Sequence, residues 1–500
     1  MVIDIGDLND KLNDFGVRIQ DNDEVIDKIN KLAHYYHLDE DALSDELISV
    51  LLNNKCTEVD MMNLQEFEKR SSAGEVIFCL RGEKFQEVDG AFPSTAPNFL
   101  TLVSKPPNRC YGAEKASVVV DAKLNRFAKM AQVYRDHYPE IQEWGNVKQI
   151  TEEPVFIYGE IMRDAAEGLP LGERTALLML DDDEGSDVRL DLSNAGDVAI
   201  FLGQFVALKG TVHSPNTLLV EKFFVPPPLP LAQVQPNCST SALAKVDIWC
   251  AAGPFTSAEN CAYEQLNELL DNVCKEKPTV LILTGPFIDN RNKYIKSPGF
   301  SLDYTQLFTN LLARIRIKLN GCPTEVIFQP SSHREMIIRN IFPAPEFSYN
   351  EKPKDKVKFH FVPDGCVIRI CGGALEVALV GCEDSAAIGS HSEVSQDATE
   401  GKSLLSSQRS LYPLNPPAVA SSLQDIEEVC QISAAPNLAI LPSILPPSAK
   451  KLDRTVFVNP GALAKGSTGT YAKISTRIPI IQTDDRIDLA AHSAISLVRI

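Results

Sequence analysis

Residues Leu283-Thr284-Gly285-Pro286-Phe287-Ile288-Asp289 hold the frame of a metal-binding loop, G-D-x-x-D, with proline in place of the aspartate that would bridge two cations. The chemistry of such a loop is hydrolysis of a phosphate ester. Carboxylates, an amide oxygen and imidazoles hold two cations about 3.5 to 4 Å apart, and these activate water and neutralise the phosphate. The apolar run Pro278 to Leu283 reads as a buried strand delivering the loop, so the remaining ligands belong on the loops that end neighbouring strands.

Those loops are short of ligands. Where the first should supply Asp-x-His, the chain reads Ala251-Ala252-Gly253-Pro254-Phe255-Thr256. Where another should read G-N-H-D/E, it reads Gln329-Pro330-Ser331-Ser332-His333-Arg334-Glu335, one imidazole beside a guanidinium that repels a dication. The late histidines, commonly G-H-x-H, are replaced by Leu441-Pro442-Ser443 and Asn459-Pro460-Gly461-Ala462-Leu463. Of the eight histidines only His333, His360, His391 and His492 follow residue 236. The expectation is a strand-end cleft with no catalytic residues, no metal and no cofactor, whose former ligand positions are Gly253, Pro254, Gly285, Pro286, Asp289, Ser332, His333, Ser443, Asn459 and Gly461. Asp289 then reads as a turn-capping carboxylate and His333 as a loop side chain. No Gly-rich phosphate loop, G-x-S-x-G elbow or H-E-x-x-H appears.

The elements that must position this cleft follow from patterning. With 500 residues, 44% of them hydrophobic, the chain is long enough for two to four domains. Net charge is −19, and residues 1–54 carry thirteen Asp/Glu against four Lys/Arg. Direct duplex binding, which needs a basic footprint, is disfavoured. The twelve cysteines show no C-x-x-C pair, so they read as buried thiols of a reducing intracellular compartment rather than zinc ligands. The start has no basic, apolar leader pattern, and no stretch is apolar for long enough to span a membrane.

Ile5, Leu8, Leu12 and Phe15, then Val25, Ile26, Ile29, Leu32, Ala33 and Tyr36, then Leu43, Leu47, Val50 and Leu51 recur at helical spacing, with Asp39 and Ser44 supporting the third helix. Residues 1–54 thus read as an acidic helical protein-docking module. Residues 55–120, punctuated by Pro and Gly, read as a flexible linker. Residues 121–235 read as a helix, with Leu124, Phe127, Ala128, Ala131 and Tyr134 on one side, followed by five short strands that suit an OB-type barrel. The acidic run Asp181 to Glu184 makes that barrel protein-facing rather than a single-strand groove. Residues 236–500 alternate buried strands and helices, an α/β layered domain with Gly372-Gly373 as a hairpin turn and a polar insertion near 390–402.

Taken together, several motifs resemble the B subunit family of eukaryotic DNA polymerase alpha–primase. They are A-G-P-F-T at Ala252 to Thr256, L-T-G-P-F-I-D at Leu283 to Asp289, L-S-S-Q-R-S-L-Y-P-L-N-P-P at Leu405 to Pro417, L-P-S at Leu441 to Ser443, and V-N-P-G-A-L-A-K-G-S-T-G-T-Y-A at Val458 to Ala472. V-R-L-D-L-S at Val188 to Ser193 and F-L-G-Q-F-V-A-L-K-G at Phe201 to Gly210 add to the likeness. The sequence departs from the pattern at Asn292, where a histidine is expected, and around Ser332-His333-Arg334-Glu335.

The resemblance implies a multi-domain α+β chain in which an OB barrel packs on an inactive calcineurin-like phosphoesterase domain. It implies a nuclear accessory subunit that binds the zinc-containing C-terminal domain of the catalytic subunit, shares a complex with primase, supports primer synthesis and touches DNA only indirectly. The helical module would recruit replisome factors. The alternatives are a residual metal-dependent phosphodiesterase or nuclease using Asp289 and His333, a small subunit of the delta or epsilon type, and a barrel that grips single-stranded DNA.

Overall fold

The computed structural model describes residues 3–13, 15–20, 22–36, 38–54, 57–61, 63–64, 67, 74–85, 99–104, 114–164, 171–172, 175–180, 187–196, 200–230, 244–348, 358–381, 407–452, 454–465, 469–478 and 488–500. The polar insertion near 390–402 and the acidic run at 181–184 lie outside them.

Three helices open the chain: α1 (Ile5–Asn13), α2 (Asp23–Tyr36) and α3 (Glu40–Asn54). Asp39 caps the last of them by accepting the Ala42 N–H at 2.9 Å. Leu8, Leu12, Val25, Ile29, Leu43 and Leu47 form their common core. Phe15 lies beyond the end of α1 and is 55% exposed, against the expectation that it belongs to the apolar stripe. The module also runs past residue 54. Strand β1 (Arg18–Ile19) pairs in parallel with β2 (Glu58–Val59), and Val59, Leu64 and Phe67 complete the helical core.

Residues 55–120 depart further from a plain linker. Strand β3 (Val76–Arg81) joins the edge of a seven-stranded sheet, and β4 (Leu100–Leu102) the edge of a six-stranded one. Both pair with strands distant in sequence, and such pairing leaves no signal in local composition.

Helix α4 (Ala116–His137) buries Ala122, Arg126, Phe127, Met130 and Tyr134. The stripe is rotated from the expected one, leaving Leu124 48% exposed, because Arg126 turns inward. Its guanidinium meets Glu427 Oε1 at 3.2 Å and the Gln408 carbonyl at 3.2 Å, and sits over the Phe205 ring. The helix lies on a closed five-stranded barrel of β5 (Thr151–Arg163), β6 (Ala176–Met179), β7 (Asp187–Asp191), β8 (Phe205–Ser214) and β9 (Thr217–Phe224), ordered β5-β6-β7-β9-β8. Alternating residues Leu178, Val188, Leu190, Leu208, Val212, Leu218 and Val220 fill its interior. The β8–β9 register slips at Lys209/Gly210, a bulge of the kind that bends a small barrel.

The rest of the chain forms two sheets packed face to face. The first runs β13-β12-β11-β10-β19-β20-β3, with β10 (Ala244–Ala252), β11 (Val280–Thr284), β12 (Glu325–Gln329), β13 (Phe359–Phe361), β19 (Thr470–Ile478) and β20 (Ser493–Arg499). The second runs β17-β18-β16-β15-β14-β4, with β14 (Cys366–Ile370), β15 (Leu375–Leu379), β16 (Leu438–Ile440), β17 (Ser448–Leu452) and β18 (Thr455–Asn459). Gly372 and Gly373, both at positive φ, turn β14 into β15 as a hairpin. Between the sheets Val246, Ile248, Val280 and Ile282 meet Ile368, Val377, Leu379, Leu438 and Val456. Helices α5 (Glu264–Glu276) and α6 (Tyr304–Lys318) cover the outer face of the first sheet, and α7 (Leu423–Val429) packs outside the second. The central strands are buried on both faces, which is why they read as unbroken apolar runs. None of the eight described cysteines is in a disulfide, and five are buried.

Barrel and layered body are joined by the segment after residue 407. The Gln408 side chain accepts the Phe205 N–H at 2.8 Å and donates to the Phe205 carbonyl at 3.2 Å, acting as a strand neighbour for β8. Asn415 N–H reaches the Leu202 carbonyl at 3.2 Å, and Asn415 Nδ2 reaches Glu160 Oε1 at 2.5 Å. Gln408→Ala leaves the buried Phe205 N–H without its acceptor, and should cost about 1–3 kcal/mol in urea unfolding. An unchanged midpoint would show that this joint adds nothing to the coupling of barrel and body.

Candidate functional site

The ends of β10, β11 and β12 place three loops side by side, and their backbones are stitched together. The Gly253 N–H donates to the Thr284 carbonyl at 2.8 Å, and the Gly285 N–H to the Gln329 carbonyl at 2.8 Å. The next stitch is Met336 N–H to the Ile288 carbonyl at 3.0 Å, and Asn290 N–H to the Arg334 carbonyl at 3.0 Å. Gly253 and Gly285 are glycines because of this approach: a Cβ would lie 2.1 Å from the Pro286 carbonyl oxygen in the first case and 2.7 Å from the Ser331 nitrogen in the second. Both Gly253-Pro254 and Gly285-Pro286 bonds are cis. The backbones of the three loops are thus held in direct contact.

Each acidic group at these loops is bound by the protein itself. Asp289 accepts the Arg291 N–H at 2.9 Å, the turn-capping role its position suggests, and Arg334 Nε at 3.1 Å, with a second ion-pair contact through the other carboxylate oxygen. Both side chains are buried. Arg334 therefore neutralises Asp289 directly. His333, on the same turn, is half-buried. Asn292 is buried, donates to the Ser257 and Asn260 carbonyls at 3.1 and 2.8 Å, and ties the first loop to the second.

Two carboxylates that sequence reasoning passed over matter most. Glu335 is 1% exposed; its Oε2 accepts the Phe287 N–H at 2.7 Å and its Oε1 the Ile288 N–H at 3.0 Å. Burial pushes its carboxyl up to about 8, against the opposing pull of these N–H groups, so it is largely neutral near pH 7. Asp364, fully buried, accepts Ser332 N–H at 2.9 Å, Gly381 N–H at 2.6 Å and Gln329 Nε2 at 3.3 Å. Burial raises its carboxyl above the ordinary range as well. The available signal for Asp364 was the Pro-Asp-Gly turn at 363–365; for Glu335, a carboxylate shortly after a buried strand, in a loop otherwise short of charge that faces solvent.

The second group of predicted positions lies at the ends of β16 and β18. The Asn459 Oδ1 accepts the Ser443 and Gly461 N–H groups, each at 3.1 Å, while its Nδ2 donates to the Leu445 carbonyl at 3.0 Å. Leu463 N–H reaches the Ala252 carbonyl at 2.8 Å and Ala464 N–H the Pro254 carbonyl at 3.0 Å, which joins this group to the first loop. The predicted positions thus come together along one edge, linked mostly through backbone. Among the described residues no three of His, Cys, Asp and Glu cluster as a metal ion requires.

Three family models match the chain: the N-terminal region of the DNA polymerase alpha B subunit over residues 6–72, the OB domain of the DNA polymerase alpha B subunit over 117–225, and the DNA polymerase alpha/epsilon B subunit over 248–450. The DNA polymerase alpha B subunit of Caenorhabditis elegans is 34% identical over 446 residues, 87% of this chain and 75% of the relative. The Rattus norvegicus protein of that name is 26% identical, covering 75% of this chain and 63% of the relative. The Mus musculus one is 25% identical, covering 83% and 70%. A Vps29 double mutant from Entamoeba histolytica matches 51% of this chain and 99% of that chain at 10% identity, with a TM-score of 0.20.

The raised carboxyl of Glu335 has a testable consequence. Between its ordinary range near 4.5 and about 8 the folded protein holds a proton that the unfolded chain has released. This contribution to stability is complete at low pH and falls as pH rises through the window, by up to about 1.4 kcal/mol per unit. Urea unfolding of wild type and Glu335→Gln from pH 5 to 9 should show the wild-type advantage shrinking with pH. Parallel curves would contradict it.

Proposed function

The chain belongs to the DNA polymerase alpha B subunit family, and from that membership we propose that it is a scaffold whose layered body, an inactive phosphoesterase-like domain, docks the zinc-containing C-terminal domain of the catalytic subunit. The family is an accessory, non-catalytic component of the polymerase. Membership implies a complex with the catalytic subunit and primase. On our reading the chain supports the start of DNA replication and primer synthesis in the nucleus, needs no cofactor, meets DNA only through its partners, and recruits replisome factors through the N-terminal module.

One observation carries the reading. The carboxylates at the strand ends, Asp289, Glu335 and Asp364, are all engaged by protein donors. In this reading Gly253, Pro254, Gly285, Pro286, Asp289, Ser332, His333, Ser443, Asn459 and Gly461 are former ligand positions turned to loop packing. The barrel fits the same picture. Tyr158, Phe205 and Phe224 lie buried with α4, and the Tyr158 hydroxyl donates to the Phe127 carbonyl at 2.9 Å, so these rings are spent inside the molecule rather than offered to bases.

Co-expression with the C-terminal domain of the catalytic subunit should yield a stoichiometric complex that survives gel filtration and buries more than about 2,000 Å², as obligate interfaces do. Separate elution of the two would overturn the docking assignment.

A further inference from the structure

The N-terminal module and the layered body meet through opposite charges that neither the family membership nor the scaffold role assigns. On α3, Glu46 Oε2 accepts Arg499 Nη2 at 2.7 Å, with both side chains largely shielded, and Asp45 Oδ2 pairs with Lys465 Nζ at 2.5 Å in a more open setting. Lys293, held above its ordinary range first by Glu259, also feels Asp39 of the module. These basic groups flank the strand-end edge: Lys293 follows the G-P-F-I-D loop, Lys465 follows N-P-G-A-L-A, and Arg499 ends β20.

The covalent path reinforces the contact. Phe67 is buried in the module's core, and Gly74 already donates to the Arg499 carbonyl at 2.9 Å in the body. Seven residue steps span at most roughly 25 Å. Arg499 thus anchors the incoming chain by its backbone and the module by its side chain. A tether this short holds the two faces at an effective concentration on the order of millimolar, so a few weak ion pairs suffice to close them.

We propose that Asp45 and Glu46 on the module and Lys465 and Arg499 on the body form a reversible electrostatic latch, which holds the module over the strand-end edge until a lysine- or arginine-rich segment of a partner competes for the acidic face of α3. The closed latch engages Asp45 and Glu46 of that face. Opening it exposes both the acidic face and the basic edge while the chain stays joined.

The test uses the full chain. Carbodiimide coupling of the wild type at low salt should join Asp45 to Lys465. The radius of gyration from small-angle scattering should rise as salt shortens the screening length from about 10 Å near 0.1 M to about 3 Å near 1 M. Asp45→Lys or Lys465→Asp alone should shift the closed-to-open ratio about fivefold toward open at low salt, as loss of an exposed pair permits, and the double swap should restore the compact form. Oligolysine should expand the wild type. Absence of the cross-link, a radius indifferent to salt and charge reversal, failure of the swap to recompact, or a wild type that binds oligolysine without expanding would each overturn the latch. Both substituted side chains are partly exposed, so folding is preserved, and circular dichroism checks it.

Discussion

A carboxylate taken out of water must find donors or give up its charge, and at the strand ends of this molecule both happen. Glu335 and Asp364 are buried completely enough that burial raises their carboxyls, yet each is ringed by backbone N–H groups from loops that would otherwise have no partners. Asp289 instead finds a guanidinium, that of Arg334. The three acids are consequently structural: they fix the loops after β11 and β12 to one another and to the β13–β14 turn. Removing one would leave several donors unsatisfied in the interior, a loss larger than that of a single surface contact. The same engagement leaves little negative charge there to attract a dication.

The joint between barrel and body obeys the same accounting of polar groups. Gln408 supplies a donor and an acceptor to the β8 backbone at the start of the strand, Tyr134 adds its hydroxyl to the Phe205 carbonyl at 3.0 Å, and Arg126 ties α4 to Glu427. Together these bonds tie α4, barrel and body into one unit. The run Q-R-S-L-Y-P-L-N-P-P, conspicuous in the sequence, is the segment that makes this joint, with Tyr412 and Leu414 in the core outside the second sheet. Such bonds fix the angle between the units, since polar bonds supply direction that apolar contact alone does not.

Much of this was legible in the chain because local patterns encode it. The barrel strands alternate, the central sheet strands are unbroken apolar runs, and the loops after residues 252 and 284 announce themselves by G-P-F. Legibility failed where the cause lies far away in sequence. β3 was hidden in a stretch that reads as linker because its partner is β20, with Cys79 beside Ser496; β4 likewise depends on β14. The buried face of α4 departs from the apolar stripe because an arginine beside it finds Glu427, far along the chain. At the strand-end cleft the scarcity of ligand-type side chains could be read from residue types, but the roles of Glu335 and Asp364 could not, since their partners, backbone N–H groups and the Gln329 side chain, come from loops far away in sequence.

The central claim, that the strand-end carboxylates serve the fold and not cations, is tested most directly by titrating the purified full chain with manganese in an isothermal calorimeter at neutral pH. The account predicts no saturable heat in the millimolar range. Two equivalents bound at defined affinity, lost on substituting Asp289 or Asp364, would contradict it.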